Sequence, residues 1–196
     1  KYTEQLVEKD QYNFKENLKI INNQIKQIEN LVNEFSDFAR MPKPIFQNND
    51  LTGLINESIK LLQELDTEIE IVFLSNSEKI FNSDKEQLSR VFFNLIKNSI
   101  ESIAQKAKEN NDFKKKITIE LDDKSDHIIF SIVDNGIGFG EIKSDIKDIL
   151  NPYYTTKKNG TGLGLSIVNK IINDHNGNIE FISIDDGAKI KIIFSK

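Results

Sequence analysis

From Phe14 to Phe35 the apolar residues keep one rhythm. Phe14, Leu18, Ile21, Ile25, Ile28, Val32 and Phe35 are separated by 4, 3, 4, 3, 4 and 3 positions, the spacing of a helix that buries a seam against another helix. One face of an ordinary core helix would also place apolar residues this way. The seam is narrow and sustained, however, which favours a dimeric or hairpin bundle. No glycine or proline precedes Pro42, so the helix can run unbroken until "RMPKP" ends it. Pro42 and Pro44 cannot continue a helix and bias the residues before them to extended shapes. A domain boundary is expected there.

Beyond Ile45 the pattern is mixed. Asp50 can cap a helix from about Leu51 to Leu65, and "EIEIVFL" and "EKIFNSD" read as short strands. Asp84 can cap a longer helix reaching about Lys108, with Leu88, Val91, Phe92, Leu95, Ser99 and Ile103 towards the core. "KKITIEL" and "HIIFSIVD" alternate as an antiparallel pair joined by "DDKSD". "LSIVNKIINDH" reads as a helix that Gly177 is placed to end, and "NIEFIS" and "AKIKIIFS" as a hairpin turning at Asp185, Asp186 and Gly187. This mixture predicts an α+β domain, a single sheet with helices on one face.

Two glycine loops interrupt it. "DNGIGFG" follows a strand, "NGTGLGLS" leads into a helix, and in both the glycines alternate: Gly136, Gly138, Gly140, then Gly160, Gly162, Gly164. Neither a phosphate loop of the Gly-x-x-x-x-Gly-Lys type nor a Gly-x-Gly-x-x-Gly dinucleotide fingerprint fits this spacing. Glycine at this density costs conformational entropy and lets backbone approach a ligand closely; two such loops in one small domain suggest a common ligand. On the long helix Arg90, Asn94, Lys97, Asn98 and Glu101, spaced 4, 3, 1, 3, gather on one polar stripe beside the apolar one. A solvated helix face would give the same stripe. With the loops it gains chemical sense. An asparagine carbonyl is a hard neutral oxygen suited to Mg²⁺, Asp134 at a strand end accepts hydrogen bonds and could read an exocyclic amino group such as that of adenine, and a loop that opens a helix favours phosphate.

"FNLIKNSIES", "DNGIGFG", "NPYYTTK" and "NGTGLGLS" resemble, in order, the four sequence boxes of histidine kinase ATP-binding domains, members of the superfamily shared with DNA gyrase B, Hsp90 and MutL. Within that family, "LVNEFSDFARMPKP" followed by "NLIKNSIES" is similar to nitrogen-regulation sensor kinases of the NtrY type. The resemblance implies an α/β sandwich of the Bergerat type that holds ATP and Mg²⁺ between the long helix and a lid running from about Gly140 to Asn159. It implies Asn98 as the Mg²⁺ ligand, Asn94 as its partner near the phosphates and Asp134 as the adenine reader. Gly136 and Gly138 would shape the adenine pocket. Gly160, Thr161, Gly162, Leu163 and Gly164 match the phosphate-side loop, and Tyr153 and Tyr154, followed by Thr155, the aromatic lid anchor. Many sensor kinases carry a lysine where this chain has Glu101; Lys97 or Lys157 is the candidate to substitute for it. The organisation implied is residues 1–41 as the second helix of a dimerisation hairpin, 42–49 as linker and edge segment, and 50–196 as the ATP-binding domain.

On this reading a longer parent protein transfers the ATP γ-phosphoryl group to a histidine and then to an aspartate on a response regulator. His127 and His175 are the two histidines of the chain, and both are expected to be structural or solvated; the resemblance implies an acceptor histidine on the hairpin's first helix. The chain, opening on Lys1, is expected to be a piece that binds ATP without labelling itself. A net charge of −5 offers no basic footprint for nucleic acid, and the absence of cysteine excludes disulfides and thiolate metal sites. No apolar run approaches bilayer length; the resemblance implies a cytoplasmic fragment without membrane contact of its own, from a parent anchored in the bacterial inner membrane. Two alternatives stand beside this one. An ATP hydrolase would need a base where Asn94 stands, and a non-catalytic dimerisation module would need only the heptad helix.

Overall fold

Helix α1 (Tyr2–Ala39) is the longest element, 38 residues, and every residue of its predicted seam from Phe14 to Phe35 faces outwards, with Phe14 63% exposed. The computed structural model describes residues 2–64, 66–75, 77–110, 112–139, 146–157 and 160–196. Near the end of α1, Phe38 and the following Met41 pack against the core. The two-proline segment that follows is stitched to the next long helix, because Gln87 Nε2 donates to the Pro42 carbonyl at 3.0 Å and the Ile45 amide to Asp84 Oδ2 at 2.8 Å.

Strand β1 (Gln47–Asp50) runs straight into α2 (Leu51–Gln63). Asp50 caps that helix as expected, accepting from the Thr52 and Gly53 amides at 3.0 and 2.9 Å, and also holds the Lys79 amide at 3.1 Å. Strands β2 (Glu70–Leu74) and β3 (Ile80–Ser83) lead to α3 (Lys85–Ala107), capped by Asp84 through the Gln87 amide at 3.0 Å. Then come β4 (Lys116–Asp123), β5 (His127–Asp134), a short 3-10 turn (Ile146–Leu150), α4 (Gly164–Asp174), β6 (Gly177–Ser183) and β7 (Ala188–Ser195).

The α+β class is as expected, a mixed sheet in the order β2-β4-β5-β7-β6 with β2 parallel to β4 and the other pairs antiparallel. One strand departs from the single-sheet expectation: β3 pairs antiparallel with β1 as a separate two-stranded ribbon. The reason is the Asp50 cap, which holds the chain just before β3 against the end of β1. Along β4, β5 and β7 alternate residues are buried, Ile117, Ile119 and Leu121, then Ile128, Phe130 and Ile132, then Ile190, Ile192 and Phe194, the period of a sheet covered on one face. Phe92 of α3 meets Phe130 at a ring-centroid distance of 5.0 Å, and fully burying a side chain of this size is worth roughly 1.5–3 kcal/mol. Because Asp134 shares the parity of Ile128, Phe130 and Ile132, the same alternation that builds the core turns this carboxylate under α3.

A second correction concerns the end of α4. Gly177 does not terminate the helix; Asn176 takes the left-handed backbone (φ 54°) and Gly177 begins β6. Asparagine tolerates that conformation, and at position 177 a Cβ would crowd Ile172 and Phe194. His175, buried at this junction, accepts from the Asp84 amide through Nε2 at 3.0 Å and bonds the Ile171 carbonyl through Nδ1 at 2.8 Å. These bonds tie the end of α4 to the start of α3.

Candidate functional site

The Asp134 carboxylate is 5% exposed and sits at the C-terminal end of β5. Ser99 Oγ donates to its Oδ2 at 2.9 Å and the Gly136 amide to its Oδ1 at 3.0 Å, with the Ser102 hydroxyl as a further partner. Burial pushes its pKa above the ordinary carboxylate value, against the pull of those three hydrogen bonds and of the Lys106 charge. Gly136 is buried against the α3 backbone, where a Cβ would lie 2.7 Å from the Ser102 carbonyl carbon. Gly138 adopts φ 68° beneath the Gly187 carbonyl, at a position where only glycine is unstrained.

Lys106 closes this end. Its ammonium donates to the Asn135 carbonyl at 2.9 Å, pairs with Asp186 and lies over the Phe113 ring. Asn135 itself is a structural clip, accepting from the Lys116 amide at 2.9 Å and donating to the Lys114 carbonyl at 2.7 Å. Ser102 and Lys106 were not singled out from the sequence. Serines at 99 and 102, spaced i,i+3 opposite a strand that ends on a carboxylate, were the available signal; for Lys106 there was none.

The polar stripe of α3 faces the second glycine loop. Asn94 Nδ2 donates to the Arg90 carbonyl at 2.9 Å, and its Oδ1 lies 3.6 Å from where a Cβ on Gly164 would stand. Gly164 is the first residue of α4, and among the described residues no side chain caps that helix. Its first amides are therefore left for another acceptor. Asn98 Oδ1 accepts from Lys157 Nζ at 2.9 Å, and the same ammonium pairs with the Glu101 carboxylate. Lys97 lies on the exposed side, 4.0 Å from Glu101. Of the two candidate lysines, Lys157 is the one that meets the asparagine.

The loop around Lys157 is held by its own backbone. Thr155 Oγ1 accepts from the Lys157 amide at 3.1 Å, and the Gly160 amide donates to the Lys157 carbonyl at 3.2 Å. Gly162 (φ 71°) accepts from the Tyr153 amide at 3.0 Å, and a Cβ there would overlap the Tyr153 backbone. Tyr153 itself has φ 70° and is 54% exposed, while Tyr154 is half-buried. Leu163 is buried, and its amide donates weakly to Thr161 Oγ1 at 3.4 Å. Thr161 also donates to the Glu34 carboxylate of α1, a contact across 127 residues that nothing in the sequence signals. Residues 140–145 and 158–159 of the expected lid lie outside the described residues.

As a metal ligand, Asn98 passes one test. Its amide oxygen already carries a cation, the Lys157 ammonium, and a neutral hard oxygen in that role suits a hard divalent ion. Among the described residues no group of three His, Cys, Asp or Glu side chains could hold such an ion, so Asn98 would need other oxygens, such as those of phosphate and water. No helix of the described residues is long and apolar enough to cross a membrane.

Residues 83–196 match the family described as histidine kinase-, DNA gyrase B-, and HSP90-like ATPase. The chain is 35% identical over 196 residues to a putative sensor histidine kinase NtrY-like of Rickettsia prowazekii, covering 99% of this chain and 31% of that protein. It is 32% identical over 166 residues to the nitrogen regulation protein NtrY of Azorhizobium caulinodans, covering 84% of this chain and 21% of that protein. Among solved structures, the catalytic domain of histidine kinase ThkA superposes with a TM-score of 0.66 at 29% identity, over 78% of this chain and 96% of that one.

Proposed function

Because the chain belongs to the histidine kinase-, DNA gyrase B-, and HSP90-like ATPase family, we propose that α3 and the two glycine loops hold Mg·ATP for phosphoryl transfer to a histidine. The observation that carries this reading is the facing of Asn94 and Asn98 on α3 towards Gly164 and Lys157, with Asp134 beyond them under the same helix. Asp134 accepts from the adenine amino group. Gly136 and Gly138 leave room for the base, and the uncapped amides of α4 with the Gly160–Gly164 loop receive the phosphates.

Asn98 is the protein's ligand to Mg²⁺, with Asn94 beside it. A bound Mg²⁺ would neutralise charge on the phosphate oxygens. The work of this chain is positioning: α3 and α4 set the triphosphate in one orientation and the lid keeps water from it. Asn94 is an amide and takes no proton from water, unlike the base a hydrolase of this superfamily would need. Glu101 is engaged by Lys157, which weakens the hydrolase alternative further.

The chain spans 31% of the length of the Rickettsia relative, so the remaining assignments are drawn from the family resemblance. Residues 1–41 form the second helix of a dimerisation hairpin, 42–49 the linker and 50–196 the nucleotide domain. The acceptor histidine belongs to the hairpin's first helix, the next acceptor is an aspartate of a response regulator, and the parent is a membrane-anchored dimer.

The test uses a longer chain that includes the hairpin's first helix, incubated with Mg²⁺ and γ-labelled ATP. Acid-labile, base-stable label in that helix, lost on Asn98→Ala, is the expected result. Label on His127 or His175, or phosphate release without label, would overturn it.

A further inference from the structure

A divalent cation on Asn98 Oδ1 would compete with Lys157 for that oxygen, and the structure gives Lys157 a second anchor in the Glu101 carboxylate. Its ammonium rests on Asn98 Oδ1 at 2.9 Å and on the Glu101 carboxylate. Asn98 and Glu101 are three residues apart, on one face of α3. An ammonium has three donors, so losing the asparagine still leaves Glu101 and two hydrogens to direct elsewhere. Glu101 is 40% exposed and Lys157 36% at the side chain, so neither is enclosed by packing. Thr155 Oγ1, accepting from the Lys157 amide at 3.1 Å, fixes the backbone from which this side chain projects.

We propose that Glu101 is a positioning residue: it retains Lys157 at the rim of the site when a divalent cation takes Asn98, so that the lysine turns to the terminal phosphate. The inference rests on the nucleotide reading above and adds to it a residue for which that reading has no role. A carboxylate near a triphosphate is otherwise unfavourable, since like charges repel. Held by Lys157, Glu101 instead orients the cation that offsets the terminal phosphate charge.

The experiment measures affinity for ADP and for the non-hydrolysable analogue AMPPNP in saturating Mg²⁺, by calorimetry, for the wild-type chain, Glu101→Gln, Lys157→Met and the double variant. The wild-type preference for AMPPNP over ADP is expected to fall about tenfold in each single variant, the scale of one charge-assisted hydrogen bond. The double variant should fall no further, and Lys157→Arg should restore part of the preference where Lys157→Met does not. If Glu101→Gln tightens both nucleotides equally, the carboxylate only repels phosphate and the proposal is wrong. Losses that multiply in the double variant also overturn it, because the two residues would then act separately. If the wild type binds neither nucleotide, the underlying site assignment fails and this inference falls with it. Binding of both that is lost in Asp134→Ala, with an unchanged preference in Glu101→Gln, sinks the inference alone.

Discussion

Ser99 on α3 and Asp134 at the end of β5 are joined by a buried hydrogen bond of 2.9 Å, 35 residues apart in the chain. Without one donor, the charged form of a buried carboxylate loses part of its compensation. Ser99→Ala is therefore expected to destabilise the fold by about 1–3 kcal/mol at pH 7, read by urea unfolding. The loss should shrink as acid protonates the carboxyl. A loss independent of pH would mean that the serine acts by packing alone.

Asp134 itself gives a pH dependence of defined sign. Burial raises its pKa in the folded state, so between the ordinary carboxylate value and that raised value the folded chain binds more proton than the unfolded one. Its contribution to stability therefore falls as pH rises through this window. Asp134→Asn removes the drop. The melting temperature of the variant minus that of the wild type should grow as pH is raised from acid to neutral, while ATP affinity is lost. A constant difference would contradict the assigned shift.

Two glycines of the second loop should separate stability from binding. At Gly164, the first residue of α4, the nearest atom to an added Cβ is Asn94 Oδ1 at 3.6 Å. Alanine is favoured over glycine in helices by up to about 1 kcal/mol. Gly164→Ala should thus stabilise or leave unchanged the apo fold, yet weaken nucleotide binding by filling the space between Asn94 and the helix end. Gly162→Ala should weaken both, because φ 71° and the Tyr153 backbone reject a side chain. Thermal melts with and without nucleotide distinguish the two; unchanged affinity in Gly164→Ala would remove the phosphates from that space.

His175→Ala tests the structural assignment of that histidine. The change leaves the Asp84 amide without its acceptor, removes the bond to the Ile171 carbonyl and opens space beside Phe46. A stability loss of roughly 2–4 kcal/mol is expected. Nucleotide affinity, measured well below the melting temperature, should be retained. Lost affinity in a fully folded variant would give His175 a functional role.

The α1 seam gives the last prediction. Ile25 and Ile28 are exposed on a helix whose neighbouring seam residues are exposed too, so placing Ile25→Glu with Ile28→Glu should leave the nucleotide domain intact. If the seam is the dimer surface, sedimentation should move from dimer to monomer. The same mass for variant and parent would exclude the seam.

Local sequence determined the elements. Periods of two and of about three and a half, the Asp50 and Asp84 caps and the alternating glycines depend on neighbours within one turn or one strand, and α3, β4, β5 and the final hairpin appear where these signals place them. Strand parity even turned Asp134 towards the core. Tertiary structure decided what each polar group meets. Ser102 beside Asp134, Lys106 between Asn135 and Asp186, Lys157 on Asn98 and Glu101, and Glu34 on Thr161 all join residues 29 or more positions apart. The same holds for the pairing of β3 with β1; at the end of α4, Gly177 is packed against Ile172 and Phe194 and Asn176 takes the left-handed backbone. Apart from the spacing of Ser99 and Ser102, side-chain type and spacing do not single out such distant partners, because long polar side chains can reach several alternatives. The packing of α3 against β5 and α4 selects among them.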